Sequence, residues 1–144
     1  MYKRYVFIMA AVLLITAFSG CSHTEKTAEI KGPAYAEPIT ETMLQALNGG
    51  DYQSYILAFD ANMIARNSQD TFQQYSAFVL QRIGLYKSKK VSDVKVEGAL
   101  TTVTYTAKFS NELADVQVGV VYEDSGDKVY VTDFWINSPK LWEH

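Results

Sequence analysis

The sequence is poor in the residues that carry most metal and nucleophilic chemistry. It has one cysteine, Cys21, and two histidines, His23 and the last residue, His144. A single thiol has no partner for an intramolecular disulfide, and a structural zinc site needs about four ligands, mostly Cys or His. A Ser-His-Asp catalytic triad or a Cys-His dyad needs a histidine that the fold holds in place. These shortages exclude a disulfide framework, and we expect no metal and no cofactor.

The first twenty residues have the pattern of an export signal. Lys3 and Arg4 precede a nearly unbroken apolar run. That run has about the length of a signal-peptide core and is short for a bilayer span, which takes roughly 20 residues. The small residues that a signal peptidase requires follow the run. We therefore predict a signal peptide over residues 1–20, with cleavage between Gly20 and Cys21.

The setting of Cys21, after two small residues and before a polar stretch, resembles the lipobox of bacterial lipoproteins. The resemblance implies that Cys21 becomes the amino terminus and carries two or three acyl chains, of which one alone would anchor only marginally. In Gram-negative lipoproteins, an Asp directly after the acylated cysteine often signals retention in the inner membrane. Here that position is Ser22, which does not give this signal. There are two alternatives. In one, Cys21 is an unmodified thiol that follows an ordinary signal peptide; in the other, the amino-terminal segment is an uncleaved membrane anchor. We expect a membrane partner through this lipid anchor, on the cell membrane or outer membrane, with the domain facing the periplasm or the exterior.

Length and charge limit the domain count and the partners. Without residues 1–20 the chain has 124 residues, enough for one domain. It then carries 11 Lys or Arg against 16 Asp or Glu, a net charge of −5. Nucleic-acid binding needs clustered basic residues, so we predict no nucleic-acid partner and no basic surface for anionic lipid. The short run of Lys87, Lys89 and Lys90 is typical of a solvated strand end.

The chain divides into a tether, a domain and a tail. Residues 21–38 are polar and contain Pro33 and Pro38, which interrupt a helix, so this stretch is predicted to be a flexible tether. The folded domain is expected over residues 39–138, and residues 139–144 are expected to form a C-terminal tail.

Helix signals come before strand signals. A first helix is predicted to end at Gly50, and Asp51 is a good N-cap for a second that includes Phe59. Residues 60–67 are interpreted as a link. A third helix, with apolar residues three and four apart, is predicted to end at Gly84.

After Gly84 the period of the apolar residues changes to two. Val103, Tyr105, Ala107 and Phe109 alternate with polar residues, as in a half-buried strand. Four strands with this character follow one another. Helices followed by strands predict an α+β fold, in which N-terminal helices pack on a curved antiparallel four-stranded sheet.

Short stretches resemble domains of the nuclear-transport-factor-two-like, or cystatin-like, cone fold. Residues 47–52, Leu-Asn-Gly-Gly-Asp-Tyr, resemble the opening of many such domains. Residues 84–88, Gly-Leu-Tyr-Lys-Ser, resemble the first strand of an uncharacterised branch of secreted and lipid-anchored bacterial proteins. The similarity covers about residues 39–138 and implies a bent sheet with a cavity at its wide end. Such domains include isomerases, dehydratases and binding modules, so the resemblance implies no single activity.

Asp133 is the one candidate for catalysis. Relatives that isomerise steroids use a cavity carboxylate with a tyrosine hydroxyl, and strict alternation would place Asp133 on one face with Val131 and Trp135. Burial there would raise its pKa and make it a usable base. The alternatives are an aspartate that faces water and one paired with Lys108 or Arg82.

Seven aromatic residues could line an apolar pocket, although such residues more often form the core of a small domain. They are Tyr55, Phe59, Tyr75, Tyr86, Tyr105, Tyr122 and Trp135. Trp142, which follows Pro139, could fold back as a plug or stay exposed.

Three functions remain open at this point. The missing nucleophile and metal chemistry favours a non-catalytic module that binds an envelope protein, a peptide or a small apolar ligand. A small cone-fold enzyme of the isomerase or dehydratase type, using Asp133 and a tyrosine, is the second. A structural lipoprotein that helps assemble an envelope complex is the third. A homodimer through the polar face of Thr102, Thr104 and Thr106 stays open.

Overall fold

A computed structural model of the protein describes residues 28–143. The elements, in chain order, are α1 Ala36–Gly49, α2 Tyr52–Tyr55, α3 Ala61–Arg66, α4 Gln69–Ile83, β1 Tyr86–Glu97, β2 Leu100–Phe109, β3 Glu112–Asp124, β4 Val129–Asn137 and α5 Pro139–Trp142. The predicted signal peptide, its cleavage site and Cys21 lie outside the described residues. Within the described part of the chain, no helix is long and apolar enough to cross a bilayer.

The four strands form one sheet in the order β1-β2-β3-β4, and each neighbouring pair is antiparallel. The long helices α1 and α4 precede the sheet in the chain and pack on one face of it, the inner face. The predicted α+β class, with N-terminal helices on an antiparallel four-stranded sheet, is therefore confirmed. Strands β1 and β4 are the two edges of the sheet, and this sets the position of the site described below.

Helix α1 begins at Ala36, inside the stretch predicted to be a tether. Pro38 lies in its first turn, where the backbone N–H groups have no partner within the helix, so a proline there breaks no bond. The carboxylate of Glu37 suits the positive end of the helix dipole. The helix ends at Gly50, whose φ of 66° is the left-handed conformation that glycine adopts most easily.

The segment between α2 and α4 differs from its prediction as a link. Residues 61–66 form the short helix α3, and its N-cap, Asp60, accepts a hydrogen bond of 2.7 Å from the backbone N–H of Met63. Helix α2 ends at Tyr55, and Phe59 instead pairs with Val131 of β4 in an isolated parallel bridge. Aspartate is a favourable N-cap residue, so α3 has a local cause, whereas the bridge depends on a strand about 70 residues away.

The core lies between the inner face of the sheet and α1, α2 and α4. Its largest fully buried side chains are Tyr105, Tyr122, Phe72, Met43, Leu44, Leu47 and Ile83. Two of the tyrosine hydroxyls bond the buried hydroxyl of Thr40, that of Tyr105 at 3.1 Å and that of Tyr122. Tyr122 in turn donates to the carbonyl of Ala36 at 3.0 Å. Because each buried hydroxyl has a partner, helix α1 is held on the sheet without an unpaired polar group.

Candidate functional site

A cleft of about 540 Å³ opens beside the edge strand β4. Helices α2, α4 and α5 supply its other walls. The lining residues are Tyr55, Asn67, Tyr75, Phe78, Phe134, Trp135, Ile136, Asn137, Leu141 and Trp142. Its volume falls within the range of roughly 300–1,000 Å³ that is usual for small-molecule sites. The lining is mostly aromatic, and none of its side chains carries a charge.

The cleft follows the edge of β4 and not one face of the sheet. Residues 134–137, four in succession, all line it. Because successive side chains of a strand point to opposite faces, a cavity that contacts all four must lie beside the backbone. The cleft thus exposes part of the open edge of the sheet together with aromatic side chains from both faces.

The inner wall of the cleft is an aromatic stack. Tyr55 is 2% exposed, and its ring centroid lies 4.9 Å from that of Phe59, 4.6 Å from that of Phe72 and 6.0 Å from that of Phe134. Burial raises the pKa of Tyr75 to about 12, and burial also raises the pKa of Tyr55. Both hydroxyls are therefore neutral at ordinary pH, so they can donate hydrogen bonds but cannot act as ready bases.

The end wall of the cleft is α5, in the stretch predicted to be a tail. Leu141 is buried, whereas Trp142 is 67% exposed and donates from Nε1 to Oδ1 of Asn137 at 3.0 Å. Arg82 of α4 holds this segment by donating from Nη1 to the backbone carbonyl of Glu143 at 2.7 Å. Trp142 thus forms an exposed end of the cleft and does not fill it.

Asp133 does not occupy the buried position on which its catalytic role depended. Tyr122 pairs with Val131 but Val121 pairs with Asp133, so Thr132 is an extra residue, a β-bulge, in β4. The bulge reverses the alternation of faces after Val131. Val131 is fully buried, whereas Asp133 is exposed and its Oδ1 accepts the backbone N–H of the next residue. A bulge of this kind cannot be recognised from alternation alone.

The seven aromatic residues proposed for a pocket separate into two groups. Tyr55, Tyr75 and Trp135 line the cleft, and Phe59 is buried behind it against Tyr55. The other three, Tyr86, Tyr105 and Tyr122, are core residues near α1.

Sequence reasoning missed several residues of the cleft, namely Asn67, Phe78, Phe134, Ile136, Asn137 and Leu141. Phe78 is one of the apolar residues spaced three and four apart that predict α4, yet it is 37% exposed. Its position at the edge of the apolar stripe of α4 is the one feature of the sequence that indicates this exposure. The amides carry no sequence signal, because only tertiary packing brings Asn67 and Asn137 to the same cleft.

Trp135 lies on the outer face of the sheet, over a glycine. A Cβ atom added to Gly119 would lie 1.9 Å from Cζ2 of the indole, so the ring occupies the space that a side chain would take. Gly119 and Trp135 are cross-strand partners on β3 and β4. The indole is 37% exposed and reaches the cleft around the strand edge.

Lys89 departs from the prediction of a solvated basic run. Lys87 and Lys90 are exposed, but the side chain of Lys89 is only 4% exposed. Its Nζ lies 2.8 Å from Glu37 and 3.0 Å from Glu41, both on α1. A register shift in β1 between Tyr86 and Ser88 places Lys89 opposite the buried Ala107, on the face that carries α1. The ion pairs compensate for its burial.

The carboxylate of Glu41 links α1 to the first strand. It accepts hydrogen bonds from the hydroxyl of Tyr86 at 2.7 Å and from Lys89 at 3.0 Å. Burial by itself would raise the pKa of Glu41, but the hydrogen bonds from Tyr86, Gln45 and Lys89 outweigh it and lower the pKa below its ordinary value. The charged form of Glu41 is thus favoured in the folded protein.

This arrangement predicts a loss of stability in acid that depends on Glu41. A carboxyl group whose pKa is lowered by folding stabilises the protein above its unfolded pKa, about 4.3, and that stabilisation is lost as the pH falls through the folded value. In urea unfolding between about pH 5 and pH 3, Glu41→Gln should lose less stability than the wild type, by at most about 1 kcal/mol because the carboxylate is partly exposed. Glu123→Gln, at an exposed position on β3, should behave as the wild type does; equal losses in all three proteins would contradict the assignment.

Comparisons with known proteins found solved structures that are similar to this chain. No protein-family model and no curated protein matches the sequence. An uncharacterised cystatin fold protein from Novosphingobium aromaticivorans is 15% identical, with 70% of this chain and 96% of that chain covered and a TM-score of 0.41. An NTF2-like protein of unknown function from Cytophaga hutchinsonii is 12% identical, with 79% and 100% covered and a TM-score of 0.40. A SEC-C motif containing protein from Rhodopseudomonas palustris is 11% identical, with 72% and 79% covered and a TM-score of 0.49.

Proposed function

We propose that this protein is a lipid-anchored, non-catalytic binding module of the cell envelope, and that it binds an apolar ligand in the cleft beside β4. The observation that carries the proposal is the lining of the cleft, which is aromatic and contains no charged residue. The anchor rests on the sequence around Cys21 and its likeness to a lipobox.

The chemistry of the cleft supports binding over catalysis. Its polar side-chain groups are two amides, Asn67 and Asn137, the hydroxyls of Tyr55 and Tyr75, and the indole N–H groups. Such groups orient a ligand by hydrogen bonds, while aromatic walls supply most of the contact area. The isomerase or dehydratase alternative needed Asp133 as a buried base, and Asp133 is exposed on the outer face.

The path of the chain supports an accessible cleft. Residues 28–30 lie beside Lys90, Val91 and Ser92 of β1. Strand β1 is the edge of the sheet opposite to β4, and three strand spacings of about 4.8 Å separate the two edges by roughly 14 Å. Residues 28–30 therefore lie away from the β4 edge and do not cover the cleft.

Native mass spectrometry of the full-length protein, extracted from its own membranes, tests both parts of the proposal. We expect a mass that includes acyl chains on a cysteine amino terminus, and a noncovalent adduct. Cys21→Ser should move the protein out of the membrane fraction, because without acyl chains the anchor is lost. An intact precursor in the cytosol with an unmodified thiol would refute the anchor.

A pair of arginine substitutions tests whether the adduct occupies the cleft. Phe78→Arg places a charge in the apolar cleft at a position that is already 37% exposed, so it should remove the adduct. Leu113→Arg makes the same change at a residue that is 98% exposed at the start of β3, and it should leave the adduct in place. An adduct that persists in both variants, or the absence of any adduct, would refute the cleft as a binding site.

A further inference from the structure

We infer that the ligand of the cleft is an extended peptide segment of another protein, apolar in its middle and acidic at its ends, which pairs with the open edge of β4 as an added strand. The inference rests on the proposed binding function and specifies the class of ligand. It follows from the backbone at the edge of β4, from the side chains around it and from the charges at its two ends.

The chain itself already uses this edge to bind an extended segment. The backbone N–H of Val131 donates to the carbonyl of Ala58 at 2.7 Å, and the N–H of Asp60 donates to the carbonyl of Val131 at 3.0 Å. Residues 58–60 therefore lie beside the first part of β4 in an extended segment that forms one parallel bridge. Residues 58–60 do not extend past the bulge at Thr132. Beyond the bulge, the edge of β4 borders the cleft.

The remaining edge offers backbone groups to a guest strand. The N–H of Phe134 points away from β3 and donates to Oδ1 of Asp133, its neighbour in the chain, at 2.9 Å, so a guest carbonyl would replace this exposed side-chain acceptor. By the alternation of antiparallel pairing, Ile136 also turns its N–H and carbonyl away from β3. Residues 134–137 span about 13 Å at roughly 3.3 Å per residue. This length suits a guest of about four residues, bound by strand addition with alternate side chains in pockets.

The side chains around the edge favour an apolar centre in the guest. A strand paired with β4 would point alternate side chains toward Tyr55 and Tyr75 on the inner side and toward Trp135 on the outer side. Both sides are aromatic, so the central residues of the guest should be apolar. A polar side chain buried there would lose its hydrogen bonds to water and gain few in return.

The charges at the two ends of the open edge favour an acidic guest. Arg66 donates from Nη2 to the carbonyl of Thr132, at the beginning of the open edge. Arg82 lies at the other end, with its Cζ 5.5 Å from the ring centroid of Phe78. Within the described residues, neither arginine forms an ion pair with a carboxylate. The exposed carboxylate of Asp133 also lies at the first end. A carboxylate of the guest that pairs with Arg66 or with Arg82 would gain a charge-assisted hydrogen bond.

The tryptophans provide the measurement. The sequence has two, Trp135 and Trp142, and both line the cleft, so intrinsic tryptophan fluorescence reports on this site. The full-length protein, held in phosphatidylcholine nanodiscs, is titrated with the blocked pentapeptide Glu-Val-Leu-Val-Glu, which has no aromatic residue. We expect a saturable change in emission. Methylating the two backbone amides that face β4 should weaken binding about tenfold or more, because each lost hydrogen bond contributes about 0.5–1.5 kcal/mol.

Charge variants complete the test. Exchanging the terminal Glu residues of the peptide for Lys should weaken binding, and so should Arg66→Gln and, independently, Arg82→Gln. Lys95→Gln removes a cation that pairs with Glu97 on β1, the opposite edge, and it should leave the titration unchanged. Equal binding of the methylated peptide would overturn strand addition, and equal binding of the Lys peptide would overturn the charge assignment.

The two proposals can fail separately. If the peptide does not bind but native mass spectrometry shows an adduct that Phe78→Arg removes, the cleft is a binding site and its ligand is not an extended acidic peptide. If the peptide does not bind and no adduct is found, both proposals are wrong.

Discussion

Replacing Gly84 by Ala is expected to lower the free energy of unfolding by about 4 kcal/mol, because the substitution adds backbone strain to a steric clash. Gly84 has φ 80° and ψ −159°, a region that is essentially restricted to glycine and costs another residue about 1–3 kcal/mol. A Cβ atom there would lie 2.2 Å from Oγ of Ser110 and 2.9 Å from the backbone nitrogen of Asn111. Relieving such overpacking costs about 1–3 kcal/mol more. Urea unfolding followed by circular dichroism measures the sum.

Substitutions at two other glycines distinguish the cost of backbone strain from the cost of a steric clash. Gly98 has φ 63° with no atom within 4 Å of an added Cβ, so Gly98→Ala should cost only the strain, about 1 kcal/mol. Gly49 lies in α1 with neither constraint, and Gly49→Ala should be neutral or stabilising by up to about 1 kcal/mol. If Gly84→Ala cost no more than Gly98→Ala, the close contact at Gly84 would be refuted.

The cost at Gly84 reflects its position between three elements. The backbone N–H of Leu85 donates to Oγ of Ser110 at 2.9 Å, and the N–H of Asn111 donates to the carbonyl of Ile83 at 2.9 Å. These bonds hold the end of α4 against the turn between β2 and β3. Because a side chain at Gly84 would separate them, the substitution should loosen the joint between the helices and the sheet.

Replacing Phe72 by Ala is expected to lower the free energy of unfolding by about 4 kcal/mol, since removing a buried phenylalanine ring leaves a cavity. Phe72 is 1% exposed, and its ring centroid lies 4.6 Å from that of Tyr55 and 5.7 Å from that of Tyr52. The ring connects α4 to α2 behind the inner wall of the cleft. Thermal and urea unfolding should both report the loss.

Phe78→Ala is the matched control on the same helix. Phe78 is 37% exposed and lines the cleft, so its truncation should cost about 1 kcal/mol or less while it enlarges the site. The pair therefore separates an aromatic residue that stabilises the fold from one that serves the cleft. Similar losses for the two variants would mean that Phe78 is a core residue and that the cleft is smaller than described.

Much of the architecture was predictable from local patterns. Apolar residues three and four apart predicted α4, and alternation predicted β2, because these periods follow directly from helix and strand geometry. Gly50 and Gly84 end the helices that they were predicted to end. The order of helices followed by strands was enough to predict the α+β class, since each element must bury one face against another.

The candidate site was much less predictable. The reversal of faces in β4 depends on one extra residue, Thr132, which moved Asp133 from the predicted cavity to the outer face. The burial of Lys89 depends on two carboxylates from α1, which lie 52 and 48 residues earlier in the chain. Neither effect has a local signal, because both depend on how distant elements meet.

The sequence by itself determined the two long helices, the four strands and the chemical character of the protein, which is acidic and has little histidine or cysteine. Those properties depend on the spacing and type of residues along one segment at a time. Tertiary structure alone decided which aromatic residues are core and which line the cleft, that residues 58–60 cover part of the β4 edge, and that Arg66 and Arg82 lie at the two ends of the open part. These features arise where separate segments pack together, and side-chain spacing within a segment carries no information about that packing.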